Sequence, residues 1–401
     1  MNVSVAKAPA QSSAHDIVAR ASALVPRLRE AQAEIDRLAR IPDELVEAFE
    51  AAGIYALTIP KAYGGQECSV STWREVVTEL GRGDAGAAWA VTLVTACNWM
   101  AAGLYPRHVA DEVFAKPGAR VAGVFSPRGV KARRVQGGIM VEQGIWFFNS
   151  GVYQADWDLL GVPMLNDAGE QTGAGVAIVP MSDVKLLNDW DTSGLRGSGS
   201  TNVTMEDVFI PDERIVGLQA SNDGRQQRTF PDAVLYRSAF APLMVSCLTF
   251  PTLGAGMHML EEFMQTLPKR DIKLTPYAKQ GEAPGTHIML GEAAAKLDAA
   301  KLLMWKATAD IDEWAERREY MPEADRARLV RDSSYADQLV WEAVDLIAGA
   351  GGGSFARRTN VLNRVWQDVK VANMHPFITQ AVNYEAYGRL ICGVRPLLMP
   401  I

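Results

Sequence analysis

The stretch Gly144-Ile-Trp-Phe-Phe-Asn-Ser-Gly151, continued by Val152-Tyr-Gln-Ala-Asp-Trp157, lies near the middle of a 401-residue chain. Its aromatic and β-branched residues, interrupted by Asn149-Ser150-Gly151, read as strand, turn, strand. Helical patterns dominate before residue 115 and after residue 230. A β segment carrying Trp146, Phe147, Phe148 and Trp157 between two helical blocks has two explanations. The aromatics fill a sandwich core, or a flat ligand lies against the sheet. In the second case Ser150-Gly151 supplies a hydroxyl and a close-approach backbone at the ligand's edge.

Outward from this stretch, the pattern switches to strands at Pro117-Gly118. Residues 121–125, 138–146, 158–164 and 175–180 read as strands, and 201–211 joins them after the loop Trp190-Asp-Thr-Ser-Gly-Leu-Arg-Gly-Ser-Gly-Ser200. Short spacings with turn residues between them predict an antiparallel meander or small barrel rather than a βαβ array. Upstream, apolar positions recur at helical spacing from Ala14 to Arg40. Pro42 opens a second helix closed by Gly53, and residues 54–60 read as a short extended piece. Ser71 is expected to cap a helix to about Gly83, and Asp84 the apolar run to Leu104. Residues 106–116 make one more short helix, and residues 1 to about 13 are expected to be disordered. Downstream, long helices are expected at 232–266, 283–316, 323–349 and 377–391, with a glycine-rich break at Ala348–Ser354. Asp310, Asp312, Glu313 and Glu316–Arg318 are read as a solvated face, and so are Glu261 and Glu262. The expected organisation is α+β: a helical block at 14–116, an antiparallel β block at 117–228, and a four-helix bundle at 229–401.

The bulk numbers agree with such a reading. The chain is too long for one core. A net charge of −7 with no basic cluster argues against a nucleic-acid surface. Cys68, Cys97, Cys247 and Cys392 lie far apart, as free thiols of a reducing cytosol do. The first residues lack the apolar core of a signal peptide. The run Ala85–Leu104 contains Thr92, Thr95 and Asn98 and reads as a buried core helix rather than a membrane span. Gly349-Ala-Gly-Gly-Gly-Ser354 lacks the third glycine of a dinucleotide fingerprint and follows no strand. No Walker A or HExxH sequence occurs, and no two of the five histidines are spaced as a metal pair.

This order of blocks, with Pro60-Lys-Ala-Tyr-Gly-Gly65 in the first and Arg364-Val-Trp-Gln-Asp368 in the last, resembles the acyl-CoA dehydrogenase fold over nearly the whole chain after residue 14. Trp146-Phe-Phe-Asn-Ser-Gly151 and the Trp190–Ser200 loop are similar to those of its flavin-dependent monooxygenase branch. That branch includes the oxygenases of 4-hydroxyphenylacetate, dibenzothiophene, steroid-phenol and indole oxidation. A dehydrogenase of this fold needs a glutamate base. The segment after Asp368 reads Val371-Ala-Asn-Met-His375-Pro-Phe377, and the stretch Leu235–Ser246 also contains no Glu.

The resemblance implies reduced FMN, with FAD as the alternative, delivered by a separate NAD(P)H-dependent flavin reductase. It implies O2 addition at the flavin C4a carbon to give a hydroperoxide, and transfer of one oxygen atom to a small aromatic or heteroaromatic substrate. A homotetramer is implied too. Ser150 is the candidate hydroxyl for flavin N5; its alternative is a turn serine bonded to its own backbone. His375 is the candidate for polarising the peroxide or activating a substrate N–H or O–H, against a buried structural histidine. Asn98 stands where a histidine is expected in the phenol-hydroxylating relatives. An amide takes no proton at neutral pH, which tilts the substrate towards indole ahead of phenol; the alternative is an amide bonded within the core. Arg196, with Ser198 and Ser200, is a candidate for flavin phosphate or for gating, against a plain turn. Arg270 is a candidate phosphate ligand from a neighbouring subunit. Phe125, Ser126, Trp146, Gly151 and Tyr153 are candidates for the flavin surface, with core packing the alternative for the aromatics. Two other readings stay open: an acyl-CoA dehydrogenase or oxidase with an unusual base, and a non-catalytic scaffold of the same fold.

Overall fold

The computed structural model describes residues 13–395; the disorder expected at the N-terminus falls, but for Ser13, outside them. The first helix, α1 (Ala14–Glu30), starts on a capping box in which Ser13 Oγ accepts from Asp16 N–H and Asp16 Oδ2 accepts from Ser13 N–H, both at 3.1 Å. The periodic pattern to Arg40 divides at Ala31, and α2 (Gln32–Leu38) ends where Ala39 turns left-handed at φ 51°. Then come α3 (Asp43–Ala51), α4 (Val70–Gly83), α5 (Ala85–Leu104) and α6 (Arg107–Val113). Residues 54–59 form turns rather than an extended piece. The cap of α4 is Ser69, whose Oγ accepts from Thr72 N–H at 3.1 Å, not Ser71. Ala85–Leu104 and Phe240–Thr266 are long and apolar enough to cross a membrane, and both are 94% buried inside the protein.

The strands are β1 (Val121–Val124), β2 (Val130–Val135), β3 (Gly138–Trp146), β4 (Trp157–Leu165), β5 (Gln171–Pro180), β6 (Lys185–Leu186), β7 (Val203–Pro211) and β8 (Ile215–Gly217). They form two four-stranded sheets, β1-β4-β5-β8 and β2-β3-β7-β6. This is not a meander: β1 pairs with β4 in parallel, Val121 opposite Trp157. Alternation along β4 gives each face its job. Leu160 and Val162 join Trp146, Val141 and Val203 in the core between the sheets. Leu159, with Val121, Val176 and Ile178, faces the helical core instead. The first sheet is therefore the middle layer, which brings the end of β3 close to α5.

The C-terminal part contains α7 (Leu218–Asn222), α8 (Phe240–Ser246), α9 (Thr249–Thr266), α10 (Pro284–Glu316), α11 (Glu323–Gly349), α12 (Val361–Ala372) and α13 (Gln380–Ile391). The expected helix 232–266 is a short 3-10 turn followed by α8 and α9, and α12 is an additional helix. In the bundle α11 packs against α8, α9, α10, α12 and α13. Bundle and N-terminal block meet where α4 crosses α9. A Cβ on Gly254 would lie 2.0 Å from the Thr78 carbonyl, so only glycine allows this approach.

Glu313 and Glu316–Arg318 are exposed as expected, but three of the acidic residues read as solvated, Asp310, Asp312 and Glu261, are structural. Asp310 is 6% exposed and pairs with Arg328 at 2.8 Å. Glu261 pairs with Arg82 at 2.7 Å and Arg29 at 2.9 Å. Asp312 accepts from Val70 N–H (2.8 Å), Ser71 N–H (3.0 Å) and Ser71 Oγ (2.6 Å), so it caps α4 from a distant helix. Replacing Asp312 by alanine is expected to cost about 1–2 kcal/mol in urea unfolding; an unchanged midpoint would show that water replaces this cap without loss.

Candidate active site

After Trp146 the chain leaves β3 through two left-handed residues, Phe148 (φ 65°) and Gly151 (φ 75°). Phe148 N–H donates to Asn202 Oδ1 at 3.0 Å, Asn149 N–H to the Thr201 carbonyl at 3.1 Å, and Gly151 N–H to the Ser198 carbonyl at 2.9 Å. The turn is thus pinned along residues 198–202. A Cβ on Gly151 would meet Val94 Cγ2 at 2.7 Å and the Ala90 carbonyl at 3.1 Å. Both the positive φ and the contact with α5 require glycine there.

Ser150 is 6% exposed. Its Oγ lies 2.7 Å from Ser200 Oγ, which lies 2.6 Å from Ser198 Oγ. Trp89 of α5 donates its indole N–H to Ser150 Oγ at 3.3 Å. An indole only donates, so Ser150 accepts here and keeps its own proton for Ser200 or for a ligand. The Trp89 ring also meets the His375 ring edge-on, with centroids 5.6 Å apart, and Phe377 flanks that imidazole at 5.4 Å. His375 Nδ1 accepts from Phe377 N–H at 3.2 Å, which places the proton of the neutral ring on Nε2. Burial lowers the His375 pKa to about 4. The imidazole is therefore a neutral N–H donor at physiological pH. One turn, one helix and the segment after α12 together present a hydroxyl, an indole and a neutral imidazole.

A charged group behind this site holds its parts together. Asp84 caps α5 by accepting from Ala87 N–H at 2.7 Å. Arg364 of α12 pairs with Asp84 at 2.7 Å and with Asp36 of α2 at 2.9 Å. Asp368 accepts from Leu195 N–H at 2.6 Å and so fixes the 190–200 loop. Burial opposes the Arg364 charge, yet Asp84, Asp368 and Asp36 hold it more firmly than usual.

Of the residues named from sequence, Ser150, Gly151 and Ser198 meet at the turn, and Trp89 connects them to His375. Asn98 takes the core alternative: its Nδ2 donates to the Tyr55 carbonyl and its Oδ1 accepts from Val121 N–H, both at 3.0 Å. Trp146 is 1% exposed, lies between the sheets and donates to the Gly161 carbonyl at 2.8 Å. Arg196 donates to the carbonyls of Asp36 (2.8 Å) and Thr192 (2.9 Å), which anchors its loop to α2. Arg270 bonds the Gly351 carbonyl in the glycine-rich break. Ser126 is exposed and accepts from Arg128 N–H at 3.4 Å. Phe125 is half-buried, and the Tyr153 ring lies under Arg40 at 5.7 Å. Sequence reasoning missed Trp89, although a single bulky ring in the small-residue stretch Ala85-Gly-Ala-Ala-Trp89 was a visible signal. It also missed the pairing of Phe148, 68% exposed, with Trp190 across 6.1 Å. Among the described residues, no group of His, Cys, Asp and Glu is placed to hold a metal.

The acyl-CoA dehydrogenase N-terminal domain matches residues 14–104 and the acyl-CoA dehydrogenase C-terminal domain residues 246–380, together more than half of the chain. The chain is 26% identical to the flavin-dependent monooxygenase, oxygenase subunit HsaA, of Mycobacterium tuberculosis, over 96% of this chain and 98% of that protein. It is 26% identical to indole-3-acetate monooxygenase of Pseudomonas putida, over 91% of this chain and 90% of that one. The structure of XiaF from Streptomyces sp., in complex with FADH2 and glycerol, superposes with a TM-score of 0.89 at 28% identity, covering 97% of this chain and 98% of that chain.

Proposed function

The chain belongs to the acyl-CoA dehydrogenase family, and we propose that it is the oxygenase component of a two-component flavin-dependent monooxygenase acting on a small aromatic or heteroaromatic compound. The observation that carries this reading is the Ser150–Trp89–His375 arrangement. The segment after α12, where a dehydrogenase of this fold has a carboxylate base, brings a neutral imidazole donor instead. Glu261, the nearest candidate base in the first bundle helices, is held by Arg82 and Arg29.

The residues fit a flavin. Ser150 presents one hydroxyl beside the Trp89 indole, and Gly151, packed against Val94 and Ala90 of α5, holds the turn that presents it. When bound, reduced FMN or FAD supplies the electrons that activate O2. Ser150 orients the ring edge with a hydroxyl already fixed by Trp89 and Ser200. His375 offers its Nε2 proton where negative charge develops on oxygen, without changing its own protonation state. The buried Trp89 indole shields the Ser150 hydroxyl from water on one side. Arg196 serves this site by holding the 190–200 loop on α2.

Indole-type substrates are preferred over phenols. The Pseudomonas putida relative, named for indole-3-acetate, supports this. The name of HsaA as an oxygenase subunit supports a separate NAD(P)H-dependent flavin reductase as partner, and we place both in the cytoplasm. A homotetramer built through the bundle is supported by the exposed Leu302 and Trp305 of α10 and Tyr335 of α11.

The test mixes chemically reduced FMN and protein with oxygenated buffer, with and without indole. A delay before oxidised flavin appears, shortened by indole with formation of an oxygenated product, supports the reading. Immediate reoxidation with no product overturns it. In Ser150→Ala, hydrogen peroxide release at the expense of product is expected to rise about tenfold, the effect of one lost hydrogen bond.

A further inference from the structure

Asn149 and Asp158 are fully buried, one immediately before Ser150 and the other near the start of β4. Asn149 Nδ2 donates to Asp158 Oδ2 at 2.6 Å. Among the described residues, Asn149 Oδ1 and Asp158 Oδ1 have no hydrogen-bond partner. Buried acceptors are nearly always matched by a donor, and here the two unmatched oxygens belong to the two residues of one bonded pair. Exchanging the amide O and N does not help, since it sets the amide oxygen against Asp158 Oδ2. A single proton on Asp158 satisfies either arrangement. The carboxyl group then donates to the amide oxygen while accepting from the amide nitrogen, which closes a two-bond acid–amide ring.

We propose that Asp158 is a neutral carboxylic acid in the folded protein and, through its ring with Asn149, is the positioning residue of the Ser150 turn. The effect on flavin rests on the reading of Ser150 given above; the acid–amide pair does not. Asp158 shares its face of β4 with Leu160 and Val162 in the core between the sheets. Its register partners are Ala122 on β1 and Val179 on β5, both apolar. The titratable group that senses it from α5 is the Cys97 thiol, itself kept neutral by burial. Asp156, preceding it on its own chain segment, is engaged by Lys116 at 2.7 Å. Burial pushes Asp158 up to about 7, against the opposing hydrogen bond from Asn149 and the neighbouring Leu159 N–H. Raising the pH through that value removes the shared proton and sets a carboxylate oxygen against the amide oxygen. Asn149 is displaced, and Ser150 with it.

The first arm of the test needs no flavin. Infrared difference spectra of the parent minus Asp158→Asn are recorded at about pH 6 and about pH 9, either side of this titration. A carboxylic-acid carbonyl band at the lower pH that vanishes at the higher is expected; its absence at both overturns the proposal. Asn149→Leu keeps the acid and removes its partner, so the band moves towards that of a free acid. This variant carries the test if Asp158→Asn does not fold. In the second arm, affinity for reduced FMN is expected to fall between the same two pH values in the parent and to stay level in Asp158→Asn. A band with level affinity in both proteins overturns the positioning role. A band in a protein that binds no reduced FMN at either pH supports the pair and overturns the flavin site.

Discussion

Replacing His375 by alanine is expected to lower product formation about 100-fold, the usual effect of removing one fixed donor from a water-excluded site. Oxygen consumption falls less, because activated oxygen is then lost as peroxide. The imidazole accepts from Phe377 N–H and lies between Trp89 and Phe377, so its Nε2–H has a fixed direction. The sign of its pH dependence follows from the lowered pKa. With a value of about 4, the ring stays neutral from about pH 5 upward, and His375 adds no rising limb to the rate profile between about pH 5 and about pH 9. His375→Asn, which keeps an N–H donor, is expected to recover part of the rate. Turnover of His375→Ala within about threefold of the parent, in a protein of unchanged stability, would reduce this histidine to packing.

The largest effect on stability is expected at Arg364. Its side chain is 10% exposed and pairs with Asp36 and Asp84, the latter 0% exposed. Removing one partner of a buried ion pair leaves the others charged and unmatched, at a cost of about 3–5 kcal/mol. Arg364→Ala is expected to lose that much in urea unfolding. Arg364→Lys recovers little, since an ammonium does not reach two carboxylates with a planar fork. A loss under about 1 kcal/mol would mean that the carboxylates left behind find other partners. Because this group also ties α5 and the 190–200 loop together, flavin affinity should fall with stability, unlike the His375 variant.

The block order and the Ser150 turn were legible because they rest on local signals. Helical and strand periods differ, and Trp-Phe-Phe-Asn-Ser-Gly is a motif in one stretch. The parallel pairing of β1 with β4 was not legible, because Val121 and Trp157 are brought together by everything between them. Short strands such as β2, with the sequence Val130-Lys-Ala-Arg-Arg-Val135, carry too many exposed charges to show a buried face. Asp310, Asp312 and Glu261 resembled a solvated face because charge alone does not reveal a partner. Arg328, the amino end of α4, and the Arg29–Arg82 pair come from distant parts of the chain. Asn98 was visible as a polar residue in an apolar helix, but its two bonds to Tyr55 and Val121 depend on how three elements stack. Arg196 was identified from its loop, and only the packing of that loop on α2 shows what its guanidinium holds.

The most direct measurement supplies purified protein and chemically reduced FMN with heavy-isotope O2 and indole, then weighs the product by mass spectrometry. One heavy oxygen atom in the product, lost in His375→Ala and lowered in Ser150→Ala, is the expected result. Unlabelled product, or full recovery of the label as hydrogen peroxide with indole unchanged, would contradict oxygen transfer by this chain.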